Sequence, residues 1–200
     1  MNLPNKLTVA RMCLIPFFMI FAFPMPEGLA GQGFFSTARP YIALVIYVIA
    51  SITDAVDGHI ARQRNLVTSF GKFLDPIADK LLVTAALLAL VQYNGMYLWA
   101  AMIILTREFI VTGIRLLAAG EGVVIAAGKL GKLKMILQTV AIITLLCAYI
   151  IETWSVQFWQ TAAGVLILAG DVLMWGAVIM TIVSGIEYVA KNIGFLKKDI

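Results

Sequence analysis

Four aspartates carry most of the chemistry this sequence can offer. Asp54, Asp57, Asp75 and Asp79 fall within 26 positions and make up more than a third of the eleven acidic residues. Asp54 and Asp57 are spaced i, i+3, and Asp75 and Asp79 are spaced i, i+4, so each pair projects from one helix face if its segment is helical. Two such faces brought together make a nest of carboxylates at the edge of an apolar medium, and the nest needs cations to balance it. An all-oxygen donor set favours hard ions such as Mg2+ or Mn2+. Two ions about 4 Å apart can bridge a diphosphate and stabilise a leaving oxygen, while a carboxylate takes the proton of an attacking hydroxyl. The plainer alternative, helix-end charge, covers Asp75 and Asp79 near a helix start. It fails for Asp54 and Asp57, which lie near a helix end, where negative charge is disfavoured.

A second constellation is basic: Arg107, Arg115, Lys129, Lys132 and Lys134. Arg107 and Arg115 lie eight apart, close to two helical turns, and so on roughly one face. Arginine inside an apolar span is costly unless it meets a partner or a water-filled cavity; Glu108 is a candidate partner for a neighbouring helix. A basic cluster facing the acids suits a substrate that itself carries phosphate, which arginine binds bidentately and lysine as a point charge. The alternative is that these cations only mark one side of a membrane, and Arg64, Lys72 and Lys80 are read that way. His59 has no second histidine to support a metal role. Asp171, deep in an apolar run, calls for a structural partner within the bundle or at a subunit contact.

Positioning these residues falls to a chain of 200 residues, 62% hydrophobic and 13% charged, with a mean hydropathy of +0.95. Those values place it among integral membrane proteins rather than soluble domains. The expected fold class is all-α: one domain over 1–200, a bundle of six transmembrane helices near 5–24, 40–61, 73–93, 96–118, 132–151 and 158–189, each about the thickness of a hydrocarbon core. Residues 24–39, rich in Pro and Gly, read as an external loop; 62–71 and 119–131 read as polar connections, and 92–95 and 152–157 as turns. Cys13 and Cys147 read as small buried side chains without a disulfide. Trp99, Trp154, Trp159 and Tyr97 read as interface anchors beside the external turns. No cleaved signal peptide is expected from the opening residues. With the N-terminus inside, fourteen of the fifteen cations fall on or near the inner side and only Arg39 falls outside. That bias puts both termini and the aspartates in the cytoplasm.

The spacing Asp-x2-Asp-Gly-x2-Ala-Arg-x8-Gly-x3-Asp-x3-Asp, complete here from Asp54 to Asp79, resembles the signature of the CDP-alcohol phosphotransferase family of membrane enzymes. The resemblance implies that Asp54, Asp57 and Asp75 hold metal and that Asp79 is the general base and a further ligand of two ions, Mg2+ or Mn2+. It assigns Gly58, Ala61, Arg62, Thr68 and Gly71 to CDP-lipid binding: Gly58 and Ala61 leave room for the nucleotide, Arg62 meets its diphosphate, and Gly71 permits close packing. The stretches NLPNKLTVARM, NLVTSFGKFLDPIADKLL, TREFIVTGIRLLAAGEGVVIAAGKLGKLKMILQ and SGIEY resemble the bacterial branch of that family that takes a phosphorylated glycerol. The implied reaction joins CDP-diacylglycerol to sn-glycerol 3-phosphate, giving phosphatidylglycerophosphate and CMP, with Arg107, Arg115, Lys132 and Lys134 binding the acceptor phosphate. It also implies a homodimer, contact with membrane lipids, no nucleic acid, and a multi-pass protein of the bacterial cell membrane with its site facing the cytoplasm. Another acceptor, inositol phosphate or phosphatidylglycerol, is the alternative. A divalent-cation transporter is the reading from another class; it is disfavoured because the acids lie at one edge and no internal repeat is visible.

Overall fold

The computed structural model describes residues 3–24, 34–64, 69–120 and 128–196, with side chains over 8–24, 37–54, 77–120 and most of 128–192. Six helices follow in order: α1 (Leu3–Ala22), α2 (Phe34–Arg64), α3 (Ser69–Val91), α4 (Met96–Gly120), α5 (Lys129–Glu152) and α6 (Gln157–Leu196). Among the described residues there is no strand. All-α architecture is thus as expected. The helices run longer than the apolar segments alone suggest, because polar ends continue the backbone hydrogen bonding into what reads as loop.

The first such extension corrects the reading of 24–39 as loop. Residues 34–39 are already helical, and Pro40 lies inside α2. Arg39 accounts for part of this: its guanidinium donates to the Ile20 carbonyl at 2.9 Å and to the Phe23 carbonyl. Gln92, in the turn just after α3, donates to the Ala22 carbonyl at 2.9 Å. The carbonyls left over at the end of α1 are therefore served by α2 and by the turn that follows α3. Likewise the connections at 62–71 and 119–131 shrink, since α2 runs to Arg64, α3 starts at Ser69, α4 runs to Gly120 and α5 starts at Lys129. The turn at 92–95 is as expected, held by Tyr93 and Asn94 amides on the Leu90 carbonyl. The Asn94 carboxamide oxygen accepts from the Met96 amide at 3.0 Å at the start of α4.

The most extensive packing is α5 on α6; α1 packs on α2 and α3, α4 on α3 and α6, and α2 and α3 meet each other and α5. Phe18, Tyr47, Leu87, Leu90, Ile104, Ile142, Leu145 and Met174 are fully buried where these helices cross. At Gly170 a Cβ would fall 2.6 Å from Leu145, so α6 approaches α5 as closely as it does only because the side chain is missing. Cys13, expected inside, is exposed on α1, and Cys147 is half-buried; the helix turns Arg11 and Ile15 inward on either side of Cys13.

Tyr97 is a further correction. It is fully buried rather than an interface anchor. Its hydroxyl donates to Asp171 Oδ1 at 2.7 Å and lies 2.9 Å from the Tyr149 hydroxyl. Asp171 therefore has its hydroxyl partner inside the bundle. Trp99 and Trp159 are exposed as expected, and Trp154 donates to the Tyr41 hydroxyl at 2.7 Å.

Large apolar side chains cover the outside. On α6, Phe158, Val165, Leu168, Val172, Ile179 and Ile186 are all exposed, a stripe recurring every three, four or seven residues. Among the described residues, Leu130–Glu152 and Gln157–Asn192 are long and apolar enough to cross a membrane.

Candidate active site

The described members of the two aspartate pairs come from different helices. Asp54 lies on α2, ten residues before its end, and Asp79 on α3. Asp79 is within electrostatic range of Asp54, of Arg11 on α1, and of Glu108 and Lys134. By helix register Asp57 lies one turn beyond Asp54, and Asp75 one turn before Asp79. The side chains of Asp57, Gly58, His59, Ala61, Arg62, Gly71 and Asp75, as well as all of Thr68, lie outside the described residues.

Arg11 is the residue the sequence reading undervalued. It is 1% exposed, and its Nη1 stands 2.5 Å from Asp54 Oδ1. The signal was available: an arginine within an apolar segment demands a partner. Its partner lies 43 positions away on another helix, however, and local spacing does not reveal it.

Next to Asp79 opens a cavity of about 770 Å3 between α3, α4, α5 and α6. Asp79, Arg107, Arg115, Lys132 and Lys134 all line it, so the structure brings the basic constellation to the same space as the fourth aspartate. Among the described residues, six cations line this cavity against three carboxylates. Its net positive charge suits an anionic ligand.

Five of these cations, Lys80, Arg107, Arg115, Lys134 and Lys191, have a side-chain partner. Glu108 Oε1 accepts from Arg107 Nη1 at 2.9 Å and from Lys134 Nζ at 2.5 Å, so one carboxylate ties α4 to α5. Arg107 Nη2 donates to the Ser184 hydroxyl at 3.2 Å. A Cβ on Gly185 would fall 3.0 Å from Arg107 Cγ, so the glycine makes room for that stem. Arg107 Nε is buried and, among the described residues, has no hydrogen-bond partner. Arg115 Nε donates to the Tyr188 hydroxyl at 3.3 Å, with the guanidinium 5.5 Å from the Tyr188 ring centre. Lys80, read as a simple side-marking charge, instead donates to the Thr112 hydroxyl and lines the cavity. Ser184, Gly185 and Tyr188 thus place both arginines from α6.

Among the described residues no group of three acids or histidines surrounds a common point. The described donors are Asp54 and Asp79, and the motif's other two acids each lie one turn from one of them. This oxygen-only set, drawn from two helices that meet, fits hard divalent cations.

A largely apolar helical bundle, with carboxylates from two helices beside a cationic cavity, belongs to the class of membrane sites that handle phosphate-bearing substrates. The sequence comparisons narrow this. The pattern of the CDP-alcohol phosphatidyltransferase family matches residues 1–183, and the chain belongs to that family. It is 47% identical to the CDP-diacylglycerol–glycerol-3-phosphate 3-phosphatidyltransferase of Bacillus subtilis (strain 168), over 98% of this chain and 97% of that one. It is 36% identical to the protein of the same name from Rickettsia felis, covering 94% and 93% of the two chains. It is 37% identical to a probable phosphatidylglycerophosphate synthase of Mycobacterium tuberculosis, covering 95% and 81%.

Proposed function

We propose that the protein transfers the phosphatidyl group of CDP-diacylglycerol to sn-glycerol 3-phosphate, releasing CMP. The observation that carries this reading is the single cavity in which Asp79 shares a wall with Arg107, Arg115, Lys132 and Lys134. A base and a phosphate-binding set in one space suit an acceptor with a hydroxyl at one end and a phosphate at the other. The near-full-length identity to relatives bearing that activity's name supports it.

Asp54, Asp57, Asp75 and Asp79 would hold two divalent cations, Mg2+ or Mn2+, which neutralise the diphosphate and stabilise the leaving phosphate oxygen. Arg11 orients Asp54 through their ion pair. Arg62, Gly58, Ala61, Thr68 and Gly71 receive the CDP moiety. Arg107, Arg115, Lys132 and Lys134 seat the acceptor phosphate and turn its free primary hydroxyl toward Asp79. Asp79 takes the proton of that hydroxyl as its oxygen attacks the lipid-side phosphorus. The new O–P bond forms as the bond to CMP breaks, and CMP leaves with the electron pair.

The same reading makes the protein a six-span homodimer of the bacterial cell membrane with both termini and the site in the cytoplasm. Its support is the exposed apolar stripe on α6, the positive-inside bias, and the position of Arg39 against the far end of α1. At about 60 Å, α6 is twice as long as a hydrocarbon core and extends beyond it.

The test is Asp79→Asn in detergent-purified protein. Turnover should disappear while thermal unfolding stays near that of the parent; turnover within about tenfold of the parent would remove Asp79 as the base.

A further inference from the structure

We propose that Gln138 recognises the secondary hydroxyl of the acceptor, making the site selective for a glycerol phosphate over an alkyl phosphate of equal length. This rests on the acceptor reading above and deepens it. Gln138 is 3% exposed and lines the cavity. The other buried polar side chains among the described residues all have partners. Thr181 and Ser184 donate to backbone carbonyls one turn earlier, Lys134 donates to Glu108, and Thr8 and Arg11 are partnered as well. Gln138 alone of this set has no hydrogen-bond partner among the described residues. Its amide atoms are not among the buried unpartnered ones; they open on the cavity and offer two donors and one acceptor to what fills it. A purely structural position on an apolar helix would favour an apolar side chain.

Position defines the ligand group. Gln138 lies one turn along α5 from Lys134, on the same face, about 6 Å away along the helix. Lys134 belongs to the phosphate end and Asp79 to the reacting hydroxyl. A three-carbon acceptor stretched between them has one polar group left over, the hydroxyl on its middle carbon. An uncharged amide that can both donate and accept suits that hydroxyl and competes neither for phosphate nor for cations.

The experiment measures kcat/KM for sn-glycerol 3-phosphate and for 3-hydroxypropyl phosphate, which keeps the phosphate and primary hydroxyl but lacks the secondary one. The parent protein should use the analogue roughly 10- to 100-fold less well, since the amide is then left unpaired. Gln138→Leu and Gln138→Met should lose activity on glycerol 3-phosphate and leave the analogue almost unchanged, bringing the ratio within about twofold of one. Their KM for CDP-diacylglycerol should not move. Equal use of both acceptors by the parent, which needs no variant to fold, would overturn the proposal, as would variants that keep the parent's preference. No turnover of either acceptor by the parent is a different result, and it would remove the acceptor reading itself along with this proposal.

Discussion

The Glu108 carboxylate stands 2.5 Å from the Lys134 ammonium, joining α4 to α5 beside the cavity that both residues line. Lys134 is 4% exposed. A buried ammonium stripped of its counter-ion is costly, whereas removing both partners strands no ammonium and leaves only Arg107, which keeps Ser184, without the carboxylate. Glu108→Ala should therefore destabilise the protein by about 1–3 kcal/mol. The double variant Glu108→Ala, Lys134→Ala should be less destabilised than the sum of the single changes. Thermal unfolding in detergent measures the cycle, and simple additivity would show that the pair is not coupled.

The ion pair of Arg11 with Asp54 reaches from α1 into the motif. An outer partner that orients a metal-binding carboxylate typically carries 10- to 100-fold in metal affinity or activity, and Arg11→Ala should lose roughly that. Arg11→Lys should recover part of it, because the charge returns without the planar fork. Titration of Mg2+ against initial rate measures both variants. Rates within about twofold of the parent at every Mg2+ concentration would argue that the pair is only structural.

Arg115 is held by Tyr188 through a hydrogen bond and the ring face. Arg115→Ala should raise the KM for glycerol 3-phosphate by about tenfold while moving that for CDP-diacylglycerol by less than about twofold. Tyr188→Ala should give a smaller rise in the same direction, since it frees the guanidinium without removing it. Equal rises for both substrates would place Arg115 outside the acceptor pocket.

Much of this was legible from short-range pattern. The aspartate spacing identified the family, and the eight-residue interval put Arg107 and Arg115 on one helix face, from which both line the cavity. Glu108 was read as a partner for a neighbouring helix, and that helix is α5. The rest depends on contacts between distant segments. Arg39 stabilises a helical start at Phe34 only because the end of α1 lies beside it. Tyr97 beside a turn has the pattern of an interface residue, and only Asp171, 74 positions away, explains its burial. Ser184, Gly185 and Tyr188 gain meaning when α6 is laid across α4. Helical periodicity encodes which face is apolar, but not which other helix that face meets.

The central claim is that this cavity presents a phosphorylated glycerol to CDP-diacylglycerol. It is tested most directly by CMP release from purified protein in CDP-diacylglycerol micelles with Mg2+ or Mn2+. The acceptors to compare are sn-glycerol 3-phosphate, glycerol, inositol phosphate and phosphatidylglycerol. The account predicts CMP release with sn-glycerol 3-phosphate, accompanied by phosphatidylglycerophosphate and abolished by chelating the metal. Release only with inositol phosphate or phosphatidylglycerol, or with none of the four, would contradict it.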